Sequence, residues 1–261
     1  MPGPVALVGA GEFLAPMVEF DRGLLEAIGR PRPRVAILPT ASAPDGESTF
    51  RTWAEMGVEH FASLGAEVEP VLVRNVAEGH DAAALQAIGE ADLVYLSGGH
   101  PAHLARVLRE SPLGAALADA HARGTVVAGC SAGAMAIVGR TMGFRVVPKL
   151  RLPLPWPIRW PAGLALVDGV VVLPHYDAWP EPLSAMVALQ SPKGFVVLGI
   201  DEETGVVGRN GAWKVRGAGR VTAGRRPERL PDRAHGPHHR GRGDDRSHRV
   251  PLCAKREVIP W

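Results

Sequence analysis

Thr125-Val126-Val127-Ala128-Gly129-Cys130-Ser131-Ala132-Gly133-Ala134 is the stretch best suited to chemistry. A β-prone run enters a G-x-S-x-G pattern and leaves into small, helix-prone residues. This is the pattern of a nucleophile elbow, a strained strand-to-helix turn that lifts one hydroxyl above a sheet edge. The flanking glycines are needed because side chains there would collide with the adjoining strand and helix. The helix behind Ser131 would point free N–H groups at the reacting atoms. The N–H of Ala132 is then placed to bind a developing oxyanion. The plainer alternative is a tight turn whose serine only caps a helix.

A serine at neutral pH needs a base to take its proton. Of the ten histidines, His235, His238, His239 and His248 fall in a basic tail. His60, His80 and His121 fall in helices or interhelical loops, where a solvated role is expected. His175 ends a strand in Leu173-Pro174-His175-Tyr176-Asp177 and is the chosen base. A third group must hold the imidazole tautomer. Between Ser131 and His175 the only acid is Asp168, and Asp177, Glu181 and Asp201-Glu202-Glu203 follow. Glu202 is preferred because its trio ends the buried-type strand Phe195–Ile200. Asp168 lies seven residues before His175, and an extended path of that length spans roughly 20 Å.

Gly98-Gly99 ends another strand and offers Gly99 as a second oxyanion donor, since glycines let backbone approach substrate closely. His100 next to it is read either as a substrate contact or as a solvated residue at a helix start. Asp177 is a candidate substrate contact. Trp156 and Trp160 lie in a proline-rich stretch, 145–163, expected to be a long irregular loop. They either wall a substrate pocket or pack on the domain, and Trp156 is kept as a candidate substrate contact. Cys130 is off-centre between Gly129 and Gly133, so its side chain is expected to point into the core as a small apolar group. Gly9-Ala10-Gly11 is a poor dinucleotide fingerprint, because Leu14 stands where a third small residue is needed.

The elements that must position these residues alternate. Strand patterns at Val5–Val8, Val35–Leu38, Val68–Val73, Leu93–Leu96 and 125–130 are separated by helix patterns at Ala15–Ile28, Thr49–Leu64, Ala82–Ile88, Pro101–Arg109 and Pro112–Ala122. Apolar strands alternating with helices predict an α/β fold: a mostly parallel sheet with helices on both faces. Function in such sheets collects at the strands' C-terminal ends. Later β structure is expected at Leu164–Val167, Val170–Leu173 and Phe195–Ile200, with a helix near Pro182–Leu189. Asn210-Gly211 between Val206-Val207 and Trp213-Lys214-Val215 signals a C-terminal β-hairpin.

The chain has 261 residues, 46% hydrophobic, with formal net charge +2. From Arg225 onward it carries ten Lys/Arg and five Asp/Glu, which leaves 19 basic and 22 acidic residues of its 29 and 27 for the remainder. Two units are therefore expected: a hydrolase domain over 1–224 and a poorly ordered basic Arg/His/Pro-rich tail over 225–261. That tail lacks interleaved aromatics, which argues against nucleic-acid binding, and its histidines lack the spacing of a zinc module. Two separated cysteines speak for a reducing compartment. No stretch approaches 18 apolar residues, and the N-terminus lacks a signal-type pattern. A cytoplasmic protein with no membrane partner, no metal and no organic cofactor is expected, and a homodimer is left open.

The elbow, the Gly-Gly turn, the histidine and Gly199-Ile200-Asp201-Glu202-Glu203-Thr204 together resemble the S51 serine peptidases, which include dipeptidase E and cyanophycinase. The resemblance covers about Val5 to Thr222. It implies a class I glutamine-amidotransferase-like (flavodoxin-like, three-layer) fold, with Ser131 as nucleophile, His175 as base and Glu202 as orienting acid. The acid placed after the histidine is closer to the cyanophycinase branch. Two departures stand out. The family's Gly-Gly turn usually continues with Asp or Asn and then Gln or Thr, whereas here it is His100-Pro101. Cyanophycinases carry an arginine-bearing segment after the histidine, whereas here it is Asp177-Ala178-Trp179-Pro180. The expected activity is hydrolysis, through an acyl-enzyme, of a peptide or isopeptide bond in a small, Asp-containing substrate other than cyanophycin. The alternatives are an amidase or amidotransferase-like enzyme using Cys130, and a catalytically silent binding protein of the same fold.

Overall fold

A computed structural model describes residues 1–143, 157–209, 211–225 and 259–260. The first half alternates as expected: β1 (Val5–Val8), α1 (Val18–Ile28), β2 (Arg34–Leu38), α2 (Glu47–Ser63), β3 (Glu67–Pro70), α3 (Ala82–Glu90) and β4 (Leu93–Leu96). Two helices, α4 (Pro101–Glu110) and α5 (Pro112–Arg123), then lead to β5 (Val126–Cys130) and α6 (Ala132–Ile137). The second half holds β6 (Val170–Leu173), α7 (Glu181–Gln190), β7 (Val196–Ile200), β8 (Thr204–Arg209), β9 (Ala212–Gly217), β10 (Val221–Arg225) and β11 (Ile259–Pro260).

β1 to β5 form a parallel array in the order β1-β5-β4-β2-β3. The hairpin β8–β9 extends it antiparallel along the outer edge of β1, and β11 pairs with β9. The central strands β1, β2, β4 and β5 are buried on both faces, whereas the edge strand β3 is largely exposed, and the central residues alternate between two cores. Val5, Leu7, Ala36, Leu38, Val94, Leu96 and Val127 face one core, completed by α3 to α6. Ala6, Val8, Val35, Ile37, Leu93, Tyr95, Ala128 and Cys130 face the other, completed by α1 and α2. This period of two, filled on each face by helices, is the three-layer arrangement that the apolar strands predict. Among the described residues, no helix is long and apolar enough to cross a membrane.

Several expectations need correction. β6 and β7 do not join the main sheet. They pair in parallel with each other, and β10 adds antiparallel to β7, giving a separate three-stranded sheet. β8 occupies the edge of β1 that faces away from β5, so β6 and β7 do not pair there. Residues 164–167 form no strand. Their N–H groups instead tie off the end of α6, with Leu164, Ala165 and Leu166 donating to Ala136, Val138 and Ile137. Ala165 also takes a positive φ of 59°, which interrupts an extended path. β3 stops at Pro70 rather than Val73, consistent with a residue that has no N–H for the ladder. The first helix begins as a 3-10 turn, Ala15–Met17, before α1.

His60 is buried rather than solvated, with Nε2 2.8 Å from Asp21 Oδ2. The last turn of α2 faces α1, so the pair meets between the two helices. Burial outweighs the histidine and pushes the Asp21 carboxyl above its ordinary range. The 145–156 part of the proline-rich stretch, Asn210 of the hairpin turn, and 226–258 and 261 of the tail lie outside the described residues.

Leu7 is fully buried at the centre of the sheet, whereas Leu14 is 48% exposed. Leu7→Ala should therefore lower the unfolding free energy by about 2–5 kcal/mol, the usual cost of such a cavity. Leu14→Ala should leave it nearly unchanged, with denaturant titration of both variants as the measurement.

Candidate active site

The site is built at the C-terminal ends of strands in both sheets. β5 ends at Cys130, and the chain turns at Ser131, which has φ 49° and ψ −110°. Ser131 N–H donates to Val8 O at 2.9 Å, and Ser131 O accepts from Met135 N–H at 3.1 Å, so both sides of the elbow are anchored. The turn is possible only with bare backbone beside it. A Cβ on Gly129 would sit 2.5 Å from the carbonyl carbon of Gly133, and a Cβ on Gly133 would sit 2.2 Å from Leu96 O.

His175 follows β6 in the left-handed region, φ 52° and ψ 38°. A short turn holds it there: Ala178 N–H donates to His175 O, and Trp179 Nε1–H donates to Pro174 O at 2.9 Å. β6 and β7 run in register, Leu173 opposite Gly199, so the residues after them emerge side by side. Glu202 Oε1 lies 2.9 Å from His175 Nδ1, and His175 Nε2 lies 3.1 Å from Ser131 Oγ. With Nδ1–H donated to the carboxylate, Nε2 is left to accept the serine proton. Asp168 is at the other end of β6, where its Oδ1 accepts from Gly169 N–H. The structure thus brings together the three residues that the sequence places 44 and 27 positions apart.

The Gly98-Gly99 turn after β4 lies against the elbow. A Cβ on Gly98 would be 3.4 Å from Ser131 Cβ. Among the described residues, the N–H groups of Gly99 and Ala132 have no hydrogen-bond acceptor. Two unpaired donors flanking a serine are what a tetrahedral oxyanion requires. A base-activated hydroxyl, an oriented imidazole and two free N–H groups can together perform acyl transfer.

The profile of peptidase family S51 matches residues 6–215. This chain belongs to peptidase family S51. Among solved structures, a peptidase from an acI-B1 actinobacterium is 27% identical, with a TM-score of 0.75 over 88% of this chain and 93% of that one. A protein given as a candidate peptidase E of Listeria monocytogenes EGD-e is 18% identical and shares the fold, with a TM-score of 0.60 over 84% of this chain and all of that one. No curated protein matches the sequence.

The other residues singled out in this S51 chain occupy different positions. Asp177 Oδ1 accepts the N–H of Glu202 at 2.9 Å, which ties the acid's backbone to the histidine's loop. His100 Nε2 lies 2.9 Å from Asp45 Oδ1. Trp160 packs partly buried against the larger core, and Trp156 is outside the described residues. Cys130 is fully buried and donates Sγ–H to Glu12 Oε2 at 2.8 Å. Burial first, and then Glu12, push its thiol well above the ordinary cysteine range.

Glu12 and Asp45 are the neighbours that sequence reasoning missed. The signal for Glu12 is a carboxylate in the glycine turn that ends a central strand, a turn whose glycines by themselves suggest only a poor nucleotide motif. The same turn meets the acid's loop: Gly9 N–H donates to Thr204 O, Glu203 N–H donates to Ala10 O, and a Cβ on Gly9 would lie 2.1 Å from Asp201 O.

A thiol whose pKa is raised stays protonated until the pH climbs well past the ordinary cysteine value, and the thiolate is the reactive form. Native Cys130 should therefore resist iodoacetamide across pH 7–9 and react readily once the chain is unfolded, read by mass spectrometry of its peptide. Rapid native alkylation would contradict the buried placement.

Proposed function

We propose that this chain is a serine peptidase that cleaves a peptide or isopeptide bond in a small, Asp-containing substrate. The observation that carries the reading is the continuous hydrogen-bond path from Ser131 Oγ through His175 to Glu202, at 3.1 Å and 2.9 Å. Ser131 Oγ attacks the scissile carbonyl carbon while its proton passes to His175 Nε2. Charge moves to the carbonyl oxygen, which the N–H groups of Gly99 and Ala132 receive. Glu202 holds the imidazole and stabilises the imidazolium. The C–N bond then breaks as His175 delivers the proton to the leaving amine, which leaves an ester on Ser131. Water, deprotonated by the same imidazole, hydrolyses that ester and restores the serine.

Membership of a peptidase family and the peptidase from the actinobacterium support hydrolysis of a peptide bond. His100 departs from the usual S51 Gly-Gly turn and the Asp177–Pro180 segment from the cyanophycinase pattern, which favours a small substrate other than cyanophycin. The burial of Cys130 disfavours the thiol alternative, since its sulfur faces Glu12 and the core.

Ser131→Ala should fold normally and lose at least ~10³-fold in turnover, the scale of removing a triad nucleophile. It should also abolish labelling by a fluorophosphonate. Wild-type protein that resists the reagent would fit a silent binding protein instead.

Glu202→Gln should cut turnover strongly, whereas Asp168→Asn should leave it close to wild type. A large loss in Asp168→Asn with a mild one in Glu202→Gln would reassign the acid. Steady-state kinetics on a panel of Asp-containing dipeptides and isopeptides decides between them.

A further inference from the structure

Glu12 is 5% exposed. A carboxylate is costly to bury unless its oxygens are satisfied. Both are satisfied by groups from distant parts of the chain: Oε1 accepts Gly98 N–H at 2.8 Å and Oε2 accepts Cys130 Sγ–H at 2.8 Å. Its loop also exchanges backbone hydrogen bonds with the 203–204 segment through Gly9 and Ala10. One side chain and its loop therefore touch the Gly-Gly turn, the residue before the nucleophile and the segment that follows Glu202.

Four successive N–H groups of the Gly-Gly turn have different fates. Ser97 N–H donates to Leu38 O, Gly98 N–H to Glu12, and His100 N–H to Ala41 O at 2.7 Å. Gly99 N–H has no acceptor among the described residues. Two glycines in succession have little local preference for any one orientation of the peptide plane between them. That plane carries the Gly99 N–H. Its orientation is set by the planes on either side, one held by Glu12 and the other by Ala41. The packing fits the same arrangement: a Cβ on Gly98 would lie 2.7 Å from Glu12 Oε1, and a Cβ on Gly99 would lie 2.3 Å from Ala41 O.

Resting on the serine-peptidase reading, we infer that Glu12 is a positioning residue for the oxyanion hole: it pins the Gly98 amide so that the Gly99 N–H stays aimed at the oxygen of the tetrahedral intermediate. Glu12 does not touch substrate. It acts through Gly98, and its contact with Cys130 only satisfies its second oxygen.

The test measures the rate at which a fluorophosphonate phosphonylates Ser131 in the full-length chain, since the phosphoryl oxygen must enter the same two-donor site. Glu12→Gln keeps an oxygen for the Gly98 amide and should react within about threefold of wild type, whereas Glu12→Ala should react about 10²-fold more slowly, the scale of one lost oxyanion donor. Cys130→Ala should react like wild type. Circular dichroism and melting temperature confirm that each variant is folded. If Glu12→Ala fails to fold, Glu12→Asp replaces it; its carboxylate is one methylene short of Gly98 and should show the loss. A merely structural role would lower melting temperatures without separating Gln from Ala or Asp in labelling rate. Wild-type rates in the Ala or Asp variant would overturn the inference, as would a Gln variant as slow as Ala, or a Cys130→Ala variant as slow as Glu12→Ala. Those results leave labelled wild type, and with it the serine-peptidase reading, intact. Wild type that is not labelled at Ser131 removes both.

Discussion

The backbone at Ser131, held at φ 49° and ψ −110°, is the constraint to which the rest of the site conforms. An L-residue held in such a sparsely populated region costs on the order of 1–3 kcal/mol and persists only where its surroundings over-determine it. Here they do. Val8 O takes the Ser131 amide, α6 takes its carbonyl, and Gly129 and Gly133 leave the bare backbone that the turn needs. The strained geometry has two consequences at once. It lifts Oγ clear of the sheet, and it leaves the first N–H of α6, at Ala132, without an acceptor among the described residues.

A second requirement is that two sheets meet with an accuracy of a hydrogen bond. Ser131 belongs to the eight-stranded sheet, whereas His175 and Glu202 follow strands of the three-stranded one. The His175–Glu202 contact is set within the small sheet by the register of β6 and β7. The Ser131–His175 contact crosses between sheets. It depends on the large apolar core that contains Val127, Ala132, Val172, Leu173 and Ile200 together, and on the turn after β1 that meets the 201–204 segment through Gly9 and Ala10. Close packing makes such a junction stiff, because a core filled to native density has little room to slide.

Much of this was legible in the chain. The alternation of apolar strands with helices foretold the parallel array, because strands buried on both faces need apolar residues at every position. Ser131 was marked by glycines at fixed offsets, His175 by its place after an apolar strand, and Glu202 by its place after the next one. The segment 164–167 was not legible. Its apolar run resembles a strand, but its N–H groups go to the end of α6. The burial of His60 is illegible for a similar reason, since nothing local in α2 reveals that Asp21 of α1 lies opposite.

The sequence by itself therefore determined most of the elements, the glycine-flanked turn at Ser131 and the residue types from which an acyl-transfer site can be built. These depend on local rules: side-chain period, the glycine needed at a turn, and the position of polar residues at strand ends. Only the tertiary structure decided that β6 and β7 leave the main sheet, that Glu202 rather than Asp168 reaches His175, and that Glu12 lies behind the Gly-Gly turn. Each of these is a contact between residues distant in the chain. Such contacts follow from which strand edge is already occupied and which buried polar atoms still need partners, and both are properties of the packed molecule rather than of any segment.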